Sequence, residues 1–187
     1  MRRGYRALFF ALALCGCGES APANEFSPQR MADALHAVLS ANREAYARMV
    51  VDRLQYQEGR LKATEHYREE KTLPLPAQML RMSAETIAKE GQPFSYALLS
   101  PWPINKQNGP RTDSEKNGLR AVTETGKPHY TEEVIDGKRY FAAYYPDKAV
   151  IQACARCHNE HEDSPRKDFR TGDVLGGLVI RIWLSKG

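Results

Sequence analysis

His129-Tyr130-Thr131-Glu132-Glu133-Val134-Ile135-Asp136-Gly137-Lys138-Arg139-Tyr140-Phe141-Ala142-Ala143-Tyr144-Tyr145 sets two β-prone runs on either side of an Asp-Gly pair. A two-residue Asp-Gly loop favours a type I′ turn, in which both central residues take positive φ and the turn matches the twist of its strands. The stretch therefore predicts a hairpin over 129–135 and 138–145, and with it an antiparallel sheet. Two more strands are predicted outward from it. Leu178 to Leu184 is a nearly continuous apolar run interrupted by Arg181, and Phe94 to Leu99 is short, aromatic and roughly alternating, closed by Pro101-Trp102-Pro103.

Helical signals fill the rest of the chain. Ser27-Pro28 is a cap followed by proline at the first position. Met31, Leu35, Val38, Leu39, Tyr46, Met49, Val50 and Leu54 then recur at helical spacing, predicting one long helix to Gln57. Arg60 to Thr72 reads as a loop or a frayed second helix. Leu73-Pro74-Leu75-Pro76 breaks the pattern before a helix over Ala77 to Lys89, stopped at Gly91. Thr112-Asp113-Ser114-Glu115 has capping-box spacing and opens a helix to Gly126. The fold class is α+β: one antiparallel sheet with long N-terminal helices beside it, in a single domain over 27–187, without repeats.

Just after the hairpin stands Cys154-Ala155-Arg156-Cys157-His158. Two thiols three positions apart with a histidine immediately following form the attachment motif of c-type haem. Cys154 and Cys157 would carry one haem covalently as thioethers, and His158 would be the proximal iron ligand. Asp147 to Ala153 reads as a short helix delivering the motif. Zinc is the alternative, with Cys154, Cys157, His158 and His161 as ligands. All four lie within eight residues, without the usual separated second pair. A thioredoxin-like dithiol is disfavoured further, because no βαβ pattern accompanies it.

Residues 1–17 have a basic start, Arg2, Arg3 and Arg6, followed by a short apolar run from Ala7 to Leu14, the form of an export signal. Its end, Leu14-Cys15-Gly16-Cys17, resembles a bacterial lipobox, which makes Cys17 the preferred lipidation site over a competing cut at Ala21-Pro22-Ala23. Residues 18–26 would be a flexible tether. The protein is thus expected to be exported to the periplasmic side of a bacterial membrane and held there by a lipid anchor. Lys and Arg number 27 against 23 acids. Losing the three signal arginines leaves 24, so the mature chain offers no electrostatic case for nucleic acid.

The C-terminal block, Cys154-Ala155-Arg156-Cys157-His158-Asn159 with His161, Asp163-Ser164-Pro165, Asp168 and Gly172-Asp173-Val174, resembles a known family. Leu73-Pro74-Leu75-Pro76-Ala77, Phe94-Ser95-Tyr96 and Ser100-Pro101-Trp102-Pro103 extend the match. The family is that of small single-haem c-type proteins with a PAS-like domain, long catalogued as a domain of unknown function. The resemblance implies a PAS-like antiparallel sheet with the haem packed on it, in free exported proteins or in the sensing part of receptors. Some relatives are described with a cysteine from the N-terminal helix as second axial ligand, yet this chain has no cysteine between Cys17 and Cys154. The candidates that remain are His66, the tentative distal ligand, then His36, Met79, Met82 and His129. His161, three residues from His158, would have to loop round the porphyrin edge and is discounted. Arg166 and Arg170, with Lys167 between them, are candidates to pair with the haem propionates, guanidinium matching a carboxylate geometrically. Gly172, Gly176 and Gly177 mark turns or close backbone approach.

The first functional reading is one-electron transfer to an exported protein partner whose identity the sequence does not give. The alternative is a haem-based redox or gas sensor that acts through a separate partner. No small-molecule substrate is indicated. Gly-x-Ser-x-Gly elbows, phosphate loops and zinc-protease spacing are missing from the sequence, so the chain is not expected to be an enzyme, and peroxide chemistry is the least favoured reading.

Overall fold

Ser27 accepts a hydrogen bond from the Arg30 backbone N–H at 3.2 Å and starts α1, Pro28–Tyr46. The structure, a computed structural model, describes residues 27–184, so the signal, the tether and Cys17 lie outside the described residues. The helix continues without a break through Ala47–Gln57, where the backbone widens from α to π geometry. Its end at Gln57 is the predicted one; the change of helix type carries no sequence signature. The segment expected as a loop or frayed helix contains β1, Ala63–Thr64, then one turn of helix, α2, Tyr67–Glu70. β2, Leu73–Pro74, pairs parallel to β1. α3, Pro76–Lys89, follows the proline breaker and stops before Gly91 at φ +65°.

The main sheet is built from β3, Phe94–Leu99, β4, His129–Ile135, β5, Lys138–Lys148, and β6, Val174–Trp183. Its order is β3-β6-β5-β4, antiparallel throughout. Asp136 and Gly137 close the hairpin at φ +50° and +73°, as a type I′ turn requires. α4, Asp113–Thr125, carries the predicted box: Thr112 accepts from the Glu115 N–H at 3.1 Å, and Glu115 accepts from the Thr112 N–H at 3.2 Å. One expectation is corrected here. Asp147 and Lys148 finish β5, and the helix, α5, Gln152–Glu160, begins only at Gln152, so it contains the Cys-His motif rather than delivering it. A strand that stays paired with Gly176 and Val174 past Tyr145 takes up residues the helix was expected to use.

Both faces of the sheet are covered. α1 and α3 bury Ala32 and Leu80 against Tyr96, Ala143, Tyr145, Leu178, Ile180 and Ile182. Val122 of α4 packs against Ala142, Tyr144 and Val179 on the opposite face. Central β6 is buried on both sides, which explains its nearly continuous apolar run. A Cβ on Gly118 would sit 2.6 Å from the Tyr144 ring, so α4 lies as close as only glycine allows. No helix among the described residues is long and apolar enough to cross a membrane.

Arg181, the interruption in β6, faces α4. It donates to Glu133 and Glu115, each at 2.8 Å, and Glu133 also accepts from Tyr144 and, at 2.8 Å, from Ser114. On the other face Asp33 of α1 accepts from Tyr130 at 2.8 Å and Tyr145 at 2.6 Å. A third, smaller cluster of Ala149, Ala155, Phe169 and Leu175 holds α5 against the end of the sheet.

Candidate functional site

Residues four apart, and three apart, share one face of a helix, so Cys154, Cys157 and His158 project together from α5. All three line a cavity of about 230 Å³. Ala47, Val51 and Tyr56 of the π segment form one wall; Leu98, Leu99 and Trp102, at the end of β3, form another, with Val150 and Ile151 beside α5. The π geometry coincides with the part of the helix that meets the cavity, and such segments recur at functional sites.

His158 is neutral: burial pushes its pKa down, Arg43 and His161 push the same way, and the Asp147 carboxylate opposes them. Its Nδ1 is buried and has no hydrogen-bond partner, an unsatisfied polar atom on a residue that lines the cavity. A neutral imidazole, two thiols on the same helix face and a largely apolar chamber fit a covalently held porphyrin. Burial raises the pKa of the Cys157 thiol, and Cys154, Glu160 and Glu65 add to the effect. A dithiol of thioredoxin type needs the opposite shift.

The loop after α5 builds the support behind His158. Asn159 bonds Phe169 twice, its amide donating to the backbone carbonyl and its carbonyl accepting from the backbone N–H, both at 2.9 Å. The Phe169 ring meets the imidazole edge to face, with centroids 5.7 Å apart, and meets Trp102 at 5.8 Å. Ser164 is buried and donates to the Arg166 carbonyl at 2.7 Å. The polar run is therefore a folded strap that sets the orientation of the histidine.

That strap changes the reading of Arg166. Its guanidinium lies over the Trp102 and Phe169 rings at 4.6 and 4.4 Å and pairs with Asp168 at 2.6 Å, behind the Trp102 wall and not itself lining the cavity. Arg170 is exposed and also outside the lining. Arg81 of α3, beside Glu85, lines the cavity, and so does Arg43 of α1, which pairs with Asp147 at the end of β5. Arg43 and Asp147 are 104 residues apart, and no local pattern connects them.

His66 does not reach the cavity either. Its side chain is 67% exposed and sits 3.5 Å from Glu65. His36 stacks on Tyr145 at 3.9 Å, and His129 packs beside Tyr144. Met82 accepts from the Tyr67 hydroxyl at 3.3 Å, and neither it nor Met79 lines the cavity. His161 does line it, but its Nδ1 accepts from the Asp163 N–H at 3.2 Å while Nε2 lies 3.7 Å from Glu65. Among the described residues no three His, Cys, Asp or Glu side chains converge on a point that could hold a metal ion, so the four-ligand zinc set does not form. A second cavity of about 380 Å³, between α3 and β3, holds no thiol or imidazole. Chemistry therefore places the site beside α5.

The crystal structure of the cyanobacterial heme-protein Tll0287 superposes on this chain with a TM-score of 0.55 at 14% identity, covering 86% of this chain and 99% of that one. At that identity the likeness shows the fold. No curated protein matches the sequence. The sequence profile of the Tll0287-like family matches residues 25–182, nearly the whole of the α+β domain and all of the wall, strap and motif around the cavity. The chain belongs to the Tll0287-like family.

Proposed function

We propose that the protein binds one haem c through Cys154, Cys157 and His158 and exchanges single electrons with an exported partner. The observation that carries this reading is the shared cavity, onto which one helix face directs both thiols and a half-buried imidazole whose pKa is pushed down by burial. The structural likeness to a heme-protein and the family membership support it. The haem supplies a one-electron iron couple.

The chain's own residues do the rest. Cys154 and Cys157 tether the group, so it is retained in either oxidation state. His158 is held at a fixed angle by the Phe169 ring and the Asn159 clamp, which limits reorganisation when the electron moves. Ala47, Val51 and Leu98 supply apolar surface on the cavity wall, against which a porphyrin face would pack. An acyl chain on Cys17 would hold the protein at the membrane, where exported partners are met.

The test is a pyridine haemochrome spectrum on chain expressed in a host that matures c-type cytochromes and then denatured. A c-type spectrum that persists after denaturation, and disappears in the Cys154→Ser/Cys157→Ser variant, is expected. Haem that washes out of the denatured wild type sinks the covalent assignment.

A further inference from the structure

β3 forms one edge of the main sheet, and the bonds around it show which of its main-chain groups are left over. The Trp183 N–H donates to the Pro93 carbonyl at 2.8 Å, one step outside the Phe94–Ile182 pair. Residues of an antiparallel ladder alternate between exchanging bonds with the partner strand and turning both groups away from it. Ser95, Ala97 and Leu99 therefore bond β6, while Phe94, Tyr96 and Leu98 turn their N–H and C=O groups outward. Ser100, the next outward residue, fits the alternation, because its N–H donates to the Asn108 carbonyl at 2.9 Å. No hydrogen bond among the described residues takes up the outward groups of Tyr96 and Leu98. Both residues line the cavity of about 380 Å³ between α3 and β3.

The two walls of that cavity differ. Leu80, Ala84 and Ala88 make the α3 wall apolar, and Arg81 beside them is paired with Glu85 at 3.5 Å. Gln107, Asn108, Arg111 and Glu115 make the opposite wall polar. Glu115 is taken by Arg181 and by the backbone N–H groups of Arg111 and Thr112. The Arg111 guanidinium is then the charge on that wall without a carboxylate partner among the described residues. An extended chain sends successive side chains to opposite sides, so one apolar and one basic wall select an alternating sequence. We propose that the free edge of β3 docks a short extended peptide segment of a partner protein as a further strand, its apolar residues toward α3 and its acidic ones toward Arg111. Main-chain bonds hold such a segment, and the walls choose it. The other edge of the sheet is guarded, since β4 carries an exposed Glu132 tied to Arg139 at 2.6 Å, and charge on an edge discourages pairing. β3, from Phe94 to Leu99, has neither charge nor proline. The Ser100–Asn108 bond closes the edge beyond Leu99, which keeps the segment short. Nothing in this inference depends on the haem reading.

The experiment uses the whole purified protein with acetyl-Thr-Val-Glu-Val-Thr-amide as the probe, followed by calorimetry and by amide hydrogen exchange. Saturable one-to-one binding that slows exchange at Tyr96 and Leu98 is expected. Two N-methylated probes separate main-chain pairing from side-chain contact, one methylated on both Val nitrogens and the other on the Glu and the last Thr. In either strand direction only one of these sets can face β3. One probe is therefore expected to bind about tenfold or more weaker and the other to bind as the parent does. Arg111→Glu is expected to turn the preference toward a probe with Lys in place of Glu, at unchanged circular dichroism. Absence of binding at millimolar probe, equal loss with both methylated probes, or a charge preference that Arg111→Glu leaves unmoved overturns the proposal. So does a peptide-free chain that elutes as a dimer with the Tyr96 and Leu98 amides already protected, since a second copy then occupies the edge.

Discussion

Glu133 is 6% exposed and still ionised, because three side chains converge on its carboxylate. Burial alone would raise its pKa; the hydrogen bonds from Tyr144 and Arg181, the Arg181 charge and the Ser114 hydroxyl outweigh it, and the folded value lies below the ordinary one. A depressed folded pKa contributes stability that is full above the unfolded value of about 4.3 and is lost as pH falls through the folded value. Glu133→Gln is therefore expected to cost about 3 kcal/mol near pH 7, by leaving Arg181 with only Glu115, and to flatten the loss of stability below pH 4. Urea unfolding of both proteins from pH 3 to 7 measures this, and parallel acid limbs would refute it. Gly118 is the second decisive residue. Any Cβ there meets the Tyr144 ring, so Gly118→Ala is expected to destabilise by about 1–3 kcal/mol through overpacking, although alanine is the better helix former. A gain in stability would show that α4 can move away from the sheet at little cost.

Elements whose signals are local match their sequence. The Asp136-Gly137 turn, the Thr112 box and the Ser27-Pro28 start all appear where the residues predict them. Each needs only a few neighbours to specify it. Thr112→Ala removes the side-chain acceptor for the Glu115 N–H and is expected to cost about 1 kcal/mol, read as a lower urea midpoint at an unchanged slope. Elements set by distant partners were not legible. The motif helix starts at Gln152 because β5 pairs with β6 as far as Lys148, a long-range register that no reading of 147–153 alone contains. The π segment, likewise, shares its apolar spacing with an ordinary helix. The site divides along the same line. Cys154, Cys157 and His158 were legible because the chemistry demands fixed spacing, whereas Arg43 and Asp147 meet only through the tertiary fold. The match of guanidinium to carboxylate makes Arg166 and Arg170 candidates for haem propionates, but it carries no information on where a side chain packs, and Arg166 lies over two aromatic rings.

At the scale of the molecule, the apolar clusters on the two faces of the sheet contain none of the motif's residues, and the cluster that anchors α5 has four buried members. Stability is therefore unevenly distributed, with the sheet at the high end and α5 with its strap at the low end. Asn159 and Ser164 keep the strap closed through a few hydrogen bonds, and the orphaned Nδ1 of His158 adds a cost that no protein group offsets. A group bound in the cavity and fixed at three points of α5 would stabilise that region first, since whatever binds only the folded state shifts the equilibrium toward it. Haem-free Cys154→Ser/Cys157→Ser protein is accordingly expected to keep the far-UV circular dichroism of the sheet while its backbone amides over 149–175 exchange faster than in the haem-loaded chain. The difference should vanish in 142–145 and 178–180, whose side chains are buried in the sheet and do not line the cavity. Equal acceleration across both regions would instead make the cavity and the sheet one cooperative unit, and the strap would then owe its order to the sheet rather than to the group it encloses.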